Sequence, residues 1–171
     1  ADFEYQLMLR NSRPSFHTIG ASAGNAVILH YVDLQRKMEA NDMILLDLGA
    51  LSKNYASDIT RTYPVNGKFT DRQKDIYNVV LEAQNITIDA MHVGACETEV
   101  NNKVKAYFAK ELKMLNLIRE DSEVDRYYYH GIGHPLGLDV HDFRRRDKTM
   151  QENNVYTVEP GLYIKEEGIG I

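Results

Sequence analysis

One cysteine, Cys96, is all that these 171 residues contain, so no disulfide can close within the chain. That scarcity excludes the small disulfide-stapled secreted scaffolds and fits a reducing compartment, so a cytoplasmic location is expected. No apolar run approaches the roughly 20 residues that a bilayer-spanning helix needs, and the opening residues lack a secretory leader pattern. No membrane partner is expected. Basic excess is also missing: 20 Lys and Arg stand against 25 Asp and Glu, for a net charge of −5, which argues against nucleic acid. The one basic cluster, Arg144-Arg145-Arg146, reads as a solvated loop before it reads as a phosphate-binding patch.

Repeats, low-complexity tracts and linkers are absent too, so the chain is one domain or part of one, long enough for a sizeable core. Ala1 leads straight into a helix-like stretch with Phe3, Leu7, Met8 and Leu9, and the chain stops in the strand-like run Gly168-Ile169-Gly170-Ile171. A strand that stops without a turn leaves its neighbour's ladder unpaired. Residues 1–171 are therefore expected to be one partial domain of a larger protein, truncated at both ends.

What is present has clear periodicity. Thr70-Asp71-Arg72-Gln73 is a capping box, and Ile76, Val79, Val80, Ala83, Ile86, Ala90 and Met91 follow at helical spacing. Val93-Gly94-Ala95 breaks that helix. A second one opens with Glu97 and Glu99, favourable for its dipole, and should bury Val100, Val104, Tyr107, Phe108, Leu112 and Leu115. Strand-like runs occur at Val27-Ile28-Leu29-His30-Tyr31-Val32, which reads as buried after the loop from Gly20 to Asn25, and around Asp47 and Asp58. Pro64 ends the Asp58 run, and short strands are expected at residues 155–159 and 162–164, split by Pro160-Gly161. Strands, two helices, then strands predict an α+β fold with helices packed on one face of an antiparallel sheet.

Asp47 sits in Met43-Ile44-Leu45-Leu46-Asp47-Leu48-Gly49, and Asp58 in Tyr55-Ala56-Ser57-Asp58-Ile59-Thr60-Arg61-Thr62. A hairpin turn centred between Ser52 and Lys53 would set the two aspartates directly opposite, with Cβ atoms about 4.5–5.5 Å apart. Two carboxylates that close among aliphatic neighbours repel each other and resist desolvation. A divalent cation is the economical compensation.

Further candidates lie downstream. Residues 130–141 hold His130, His134 and His141 among glycines that let the backbone approach a site, and Pro135 argues against a helix. Glu159 stands on an apolar strand just before the break at Pro160-Gly161. Singly each signal is weak, since a lone Asp in a strand is more often a hydrogen-bonded structural group. Together Asp47, Asp58, His134 and Glu159 form a mixed oxygen and imidazole set, which suits Mn, Co, Fe or Zn better than Ca. His17, His92 and Cys96 belong to no constellation and read as surface, packing or small-residue positions.

The segments Leu46-Asp47-Leu48-Gly49, Ser57-Asp58-Ile59-Thr60-Arg61-Thr62, His130-Gly131-Ile132-Gly133-His134, Gly137-Leu138-Asp139-Val140-His141-Asp142 and Glu159-Pro160-Gly161-Leu162-Tyr163 resemble the pita-bread metallopeptidases, creatinase/aminopeptidase-like in fold. Within them the chain is most similar to the Xaa-Pro aminopeptidase and prolidase branch, over roughly Glu4 to Ile171.

The resemblance implies hydrolysis of the bond between an N-terminal residue and a following proline. It also implies two divalent metal ions, manganese first, with cobalt, zinc or iron as alternatives. By match Asp47 would hold one ion, Asp58 would bridge both, and His134 and Glu159 would hold the other. A second bridging Glu would follow Ile171, so the site is expected to be incomplete, and the chain inactive, within these residues. Glu159 would also act as general base, and His30 and His141 would stabilise the tetrahedral intermediate. His130 and Tyr163 would shape the proline pocket, although a satisfied core histidine at His30 and plain strand packing at Tyr163 stay open. Peptides with proline at the second position are the expected partners, and the parent is expected to be a homo-oligomer. Prolidase is the nearest alternative, methionine aminopeptidase fits the histidine block less well, and a non-catalytic binding module is the alternative of another class.

Overall fold

The computed structural model describes residues 1–144, 147 and 149–171. Helix α1 (Asp2–Met8) leads into strands β1 (Arg13–Pro14) and β2 (Ile19–Ser22), then a 3-10 turn at Ala23–Val27. Strands β3 (Met43–Leu48) and β4 (Ala50–Ser52) run out, and β5 (Tyr55–Ala56) and β6 (Ile59–Pro64) return. Helices α2 (Asp71–Ala90) and α3 (Glu97–Met114) follow, then a 3-10 turn at Asp121–Arg126 and the short pair β7 (Tyr163–Ile164) and β8 (Ile169–Gly170). The sheets run β2-β3-β6, β1-β4-β5 and β7-β8, each antiparallel, so the α+β expectation holds.

The central hairpin fixes the site, and its register differs from expectation. Ser52 pairs with Tyr55, leaving Lys53-Asn54 as the loop, with φ of 51° and 70°. A two-residue loop matching the strand twist needs two positive φ values, and Asn tolerates that region well. The centre therefore falls between Lys53 and Asn54, one residue later than the sequence suggested. Moving the centre by one moves each partner by two, so Asp47 pairs with Thr60 rather than Asp58. Parity survives the shift, and Asp58 lies on the Asp47 diagonal. Gly49 permits the crossing of the two halves, since a Cβ there would lie 1.8 Å from the Ser57 carbonyl oxygen.

One face of β3 carries the argument inward. Met43 enters the main core with Ile76, Ala83, Val104, Phe108 and Leu112 of the two helices. Leu45 joins a smaller cluster with Ile19, Ala21 and Ala26, and Asp47 comes next on the same face. Alternation along the strand thus delivers a carboxylate to the end of an apolar row. The capping box at Thr70 forms as read, and Gln73 Nε2 also donates to the Asn41 carbonyl at 2.8 Å, tying α2 to the turn before β3.

The buried strand expected over residues 27–32 does not form. Ile28, Leu29 and Val32 are exposed, and His30 has φ of 56°. The reason is edge occupancy: β3 is flanked by β2 on one side and β6 on the other, so neither of its edges remains for that run. The pairing strand is instead Ile19–Ser22, part of which read as loop. The strand expected over residues 155–159 reduces to an isolated bridge between Tyr156 and Pro135; as an extended segment these residues hydrogen-bond to the histidine segment, with Thr157 N donating to His134 O and Glu159 N to Ile132 O, both at 2.9 Å. Arg144 is not simply solvated, because it pairs with Glu97 at 3.1 Å and donates to the Gly133 carbonyl. Arg145 and Arg146 lie outside the described residues.

Candidate metal centre

Four segments converge where β3 ends. Asp47 comes from β3, Asp58 from the stretch just before β6, His134 from the glycine-flanked loop, and Glu159 from the extended segment bonded to that loop. His134 Nε2 lies 3.1 Å from Glu159 Oε1 and 3.3 Å from Asp58 Oδ2. Asp47 is within charge range of both Asp58 and Glu159. The expected set is brought together.

His134 and Glu159 are held by local bonds. His134 Nδ1 is 3.0 Å from the Pro135 carbonyl, an acceptor only, so Nδ1 carries the proton and donates. In the neutral ring that leaves the Nε2 lone pair aimed at the carboxylates, the tautomer a cation would select. Burial alone would lower the His134 pKa, but hydrogen bonds to Asp58 and Glu159 reverse this and hold it up at about 10. For Asp47, burial and then the neighbouring Asp58 charge push the carboxyl up to about 7.

Two histidines flank the cluster. The His141 ring sits edge-on to His134 with centroids 4.2 Å apart, and His30 approaches His141 at 6.2 Å. Burial, with His134 and His30 adding to it, lowers the His141 pKa, so this ring favours the neutral form. Asp142 accepts from the amides of Leu138 and Phe143, pinning the loop that carries His141. On the other side, His130 Nδ1 donates to the Gly131 carbonyl, so its Nε2 accepts from the Tyr163 hydroxyl at 2.5 Å. Tyr163 is buried, stacks on Tyr129 at 5.0 Å, and burial raises its hydroxyl pKa.

A cavity of about 410 Å³ is lined by His30, Asp47, His130, His134, His141, Glu159 and Tyr163 among others. A second, of about 500 Å³, is lined by Asp58, Thr60, Glu159 and Tyr163 among others. All eight sequence-derived site residues line one or the other. His30 reaches its place from an exposed loop instead of a strand, which also removes the core-histidine alternative.

The donor set fits a divalent cation. Among the described residues, no group of three or more His, Cys, Asp or Glu is already spaced as a formed metal cluster. Asp58 and Glu159 instead lie within ion-pair distance of His134 Nε2. Yet Asp47 Oδ1 is buried without a hydrogen-bond partner among those residues. A buried carboxylate oxygen without a partner is costly, and a cation would satisfy it together with the like-charged neighbours.

The sequence reading missed Thr60, which pairs with Asp47 across the ladder and works to lower its carboxyl pKa, and Thr157, which bonds to both His134 and Glu159. The Thr157-Val158-Glu159 spacing held that second signal, since alternate strand residues share a face. It also missed the buried Glu97, read only as a dipole residue, which accepts from the Tyr156 hydroxyl and pairs with Arg144.

Residues 1–171 match the family described as metallopeptidase family M24, and the chain belongs to it. That membership implies a divalent metal. The Xaa-Pro aminopeptidase of Haemophilus influenzae is 38% identical over 165 residues, covering 90% of this chain and 38% of that protein. The Xaa-Pro dipeptidase of Pyrococcus furiosus is 36% identical over 173 residues, covering 98% and 46% respectively. A zinc-substituted Escherichia coli aminopeptidase P in complex with product superposes with a TM-score of 0.93 at 36% identity, covering 99% of this chain and 43% of that one. The pita-bread fold expected from the motifs is thereby shared. The chain spans less than half the length of these relatives.

Proposed function

We propose that the protein containing this chain is a metal-dependent Xaa-Pro aminopeptidase. It releases the N-terminal residue of peptides that have proline at the second position. The observation that carries this reading is His134 Nε2 held between Asp58 and Glu159 inside a histidine-lined cavity. The aminopeptidase relatives support the substrate class.

Asp47, Asp58, His134 and Glu159 would hold two divalent ions, manganese before cobalt, zinc or iron, together with a carboxylate supplied by the parent protein outside these residues. By that reading residues 1–171 form a partial catalytic domain, inactive alone. Bound divalent ions supply Lewis acidity and lower the pKa of water toward about 7. Glu159 then accepts the proton of the attacking water and passes it to the leaving proline nitrogen. His141 and His30, on the cavity wall beside His134, donate toward the carbonyl oxygen as charge develops there. The His130–Tyr163 pair presents an apolar ring edge backed by Tyr129, suited to the flat face of a proline ring.

The single cysteine supports a reducing, cytoplasmic setting. Exposed Ile28, Leu29, Val32 and Leu34 support a homo-oligomer that covers them. A second reading is Xaa-Pro dipeptidase, favoured by a relative of that name at nearly equal identity. The intact donor set speaks against a non-catalytic module. Full-length protein assayed on Xaa-Pro-Yaa and Xaa-Pro peptides, with Mn²⁺ and with chelator, tests these readings. Chelator-sensitive release from the tripeptide supports the aminopeptidase, cleavage of the dipeptide alone selects the dipeptidase, and no cleavage of either sinks both.

A further inference from the structure

We propose that Thr157 is a positioning residue that locks His134 and Glu159 to one another, an assignment that rests on the roles given to those two residues above. Thr157 is buried on the extended segment, and Glu159, two residues on, shares its face. The Thr157 hydroxyl accepts from the His134 backbone N–H at 2.9 Å and lies 2.8 Å from Glu159 Oε1. Its single proton has two possible acceptors. The His134 carbonyl is 3.4 Å away and already receives the Thr157 backbone N–H at 2.9 Å. The proton therefore goes to the carboxylate, as a charge-assisted bond roughly twice as strong as a neutral one.

A buried threonine is often only a packing group with a satisfied hydroxyl. Thr87 is an example here, fully buried and donating to its own helix at Ala83 O. Thr157 differs because its hydroxyl joins a backbone position and a functional carboxylate from two separate segments. The close approach requires Gly133, where a Cβ would lie 2.2 Å from the Thr157 carbonyl oxygen and 2.8 Å from its hydroxyl oxygen. The bond fixes the Glu159 carboxylate relative to the ring that follows the His134 amide. A misplacement of about 1 Å at such a centre can cost around a hundredfold in rate.

The test compares Thr157→Val, which keeps the shape, with Thr157→Ser, which keeps the hydroxyl, both in the full-length protein. In the metal-free state, hydrogen exchange at the His134 amide should accelerate about tenfold in the Val variant and stay near wild type in the Ser variant. Calorimetric Mn²⁺ affinity should fall roughly 10–100-fold in the Val variant, and kcat by about as much with KM little changed, while Ser restores both. A purely structural role would lower the melting temperature and leave the exchange, the affinity and the split between kcat and KM unmoved. Wild-type values for Thr157→Val, or equal failure of Thr157→Ser, overturn the proposal. If the wild type neither binds Mn²⁺ nor cleaves Xaa-Pro bonds, the functional reading fails separately. His134 exchange still decides the lock in that case: acceleration in the Val variant alone upholds it, and unchanged exchange overturns it.

Discussion

Asp47 is paired across the sheet with Thr60, and this pairing puts Asp58 on the diagonal instead of directly opposite. The Thr60 side chain partly offsets the rise in the Asp47 pKa, while burial and the Asp58 charge dominate. The diagonal leaves the second aspartate free to face His134 from the neighbouring loop at 3.3 Å. A strictly opposed pair would have set the two carboxylates directly against each other.

Asp58 should be the most sensitive of the acidic residues. In the full-length protein Asp58→Asn removes a charge that lies 3.3 Å from His134 Nε2, with little change in volume. Activity should fall by at least about a hundredfold, the usual scale for losing an electrostatic group at a reacting centre, with the circular dichroism spectrum retained. Near-wild-type turnover at saturating Mn²⁺ would refute the assignment.

Glu159→Gln should separate proton transfer from folding. The amide keeps an oxygen where Thr157 donates at 2.8 Å, so the local structure should survive. It cannot accept a proton from water, and kcat should drop by about 10²–10⁴-fold. Turnover equal to wild type would assign the base to another group.

Metal-free protein should lose stability at the centre as pH rises. Asp47 has a folded-state pKa of about 7 against an ordinary 3.8, so the fold favours its protonated form, and that preference is lost as pH climbs through about 7. His134 is raised from 6.5 to about 10, so its contribution is complete below 6.5 and disappears toward 10. Both effects have the same sign. Asp47→Asn, which mimics the neutral acid, should therefore melt above chelated wild type at pH 8, with the gap narrowing below about 7 and closing only near 3.8. A gap that widens toward acid would contradict the assignment.

Gly133→Ala should destabilise through a steric clash. The added Cβ would stand 2.2 Å from the Thr157 carbonyl oxygen, which is backbone and cannot rotate away. Relief requires separating the two extended segments, at about 1–3 kcal/mol. Chemical denaturation midpoints measure it, and a midpoint equal to wild type would show that the segments part freely.

The sequence by itself determined the elements whose signals are local. The capping box at Thr70 and the apolar rows of α2 and α3 were legible because a helix satisfies its own backbone within four residues. The donor residues were legible as well, since carboxylates and imidazoles among aliphatic or glycine neighbours stand out without any fold. Pairing was not legible. Whether residues 19–22 or 27–32 joined β3 depended on which segment reached its edge, and the hairpin register turned on which two residues accepted positive φ. The bonds from Thr157 to His134 and from Glu97 to Arg144 join residues 23 and 47 positions apart. Only tertiary packing could decide them, because such contacts are set by the approach of separate segments and leave no periodicity in the chain.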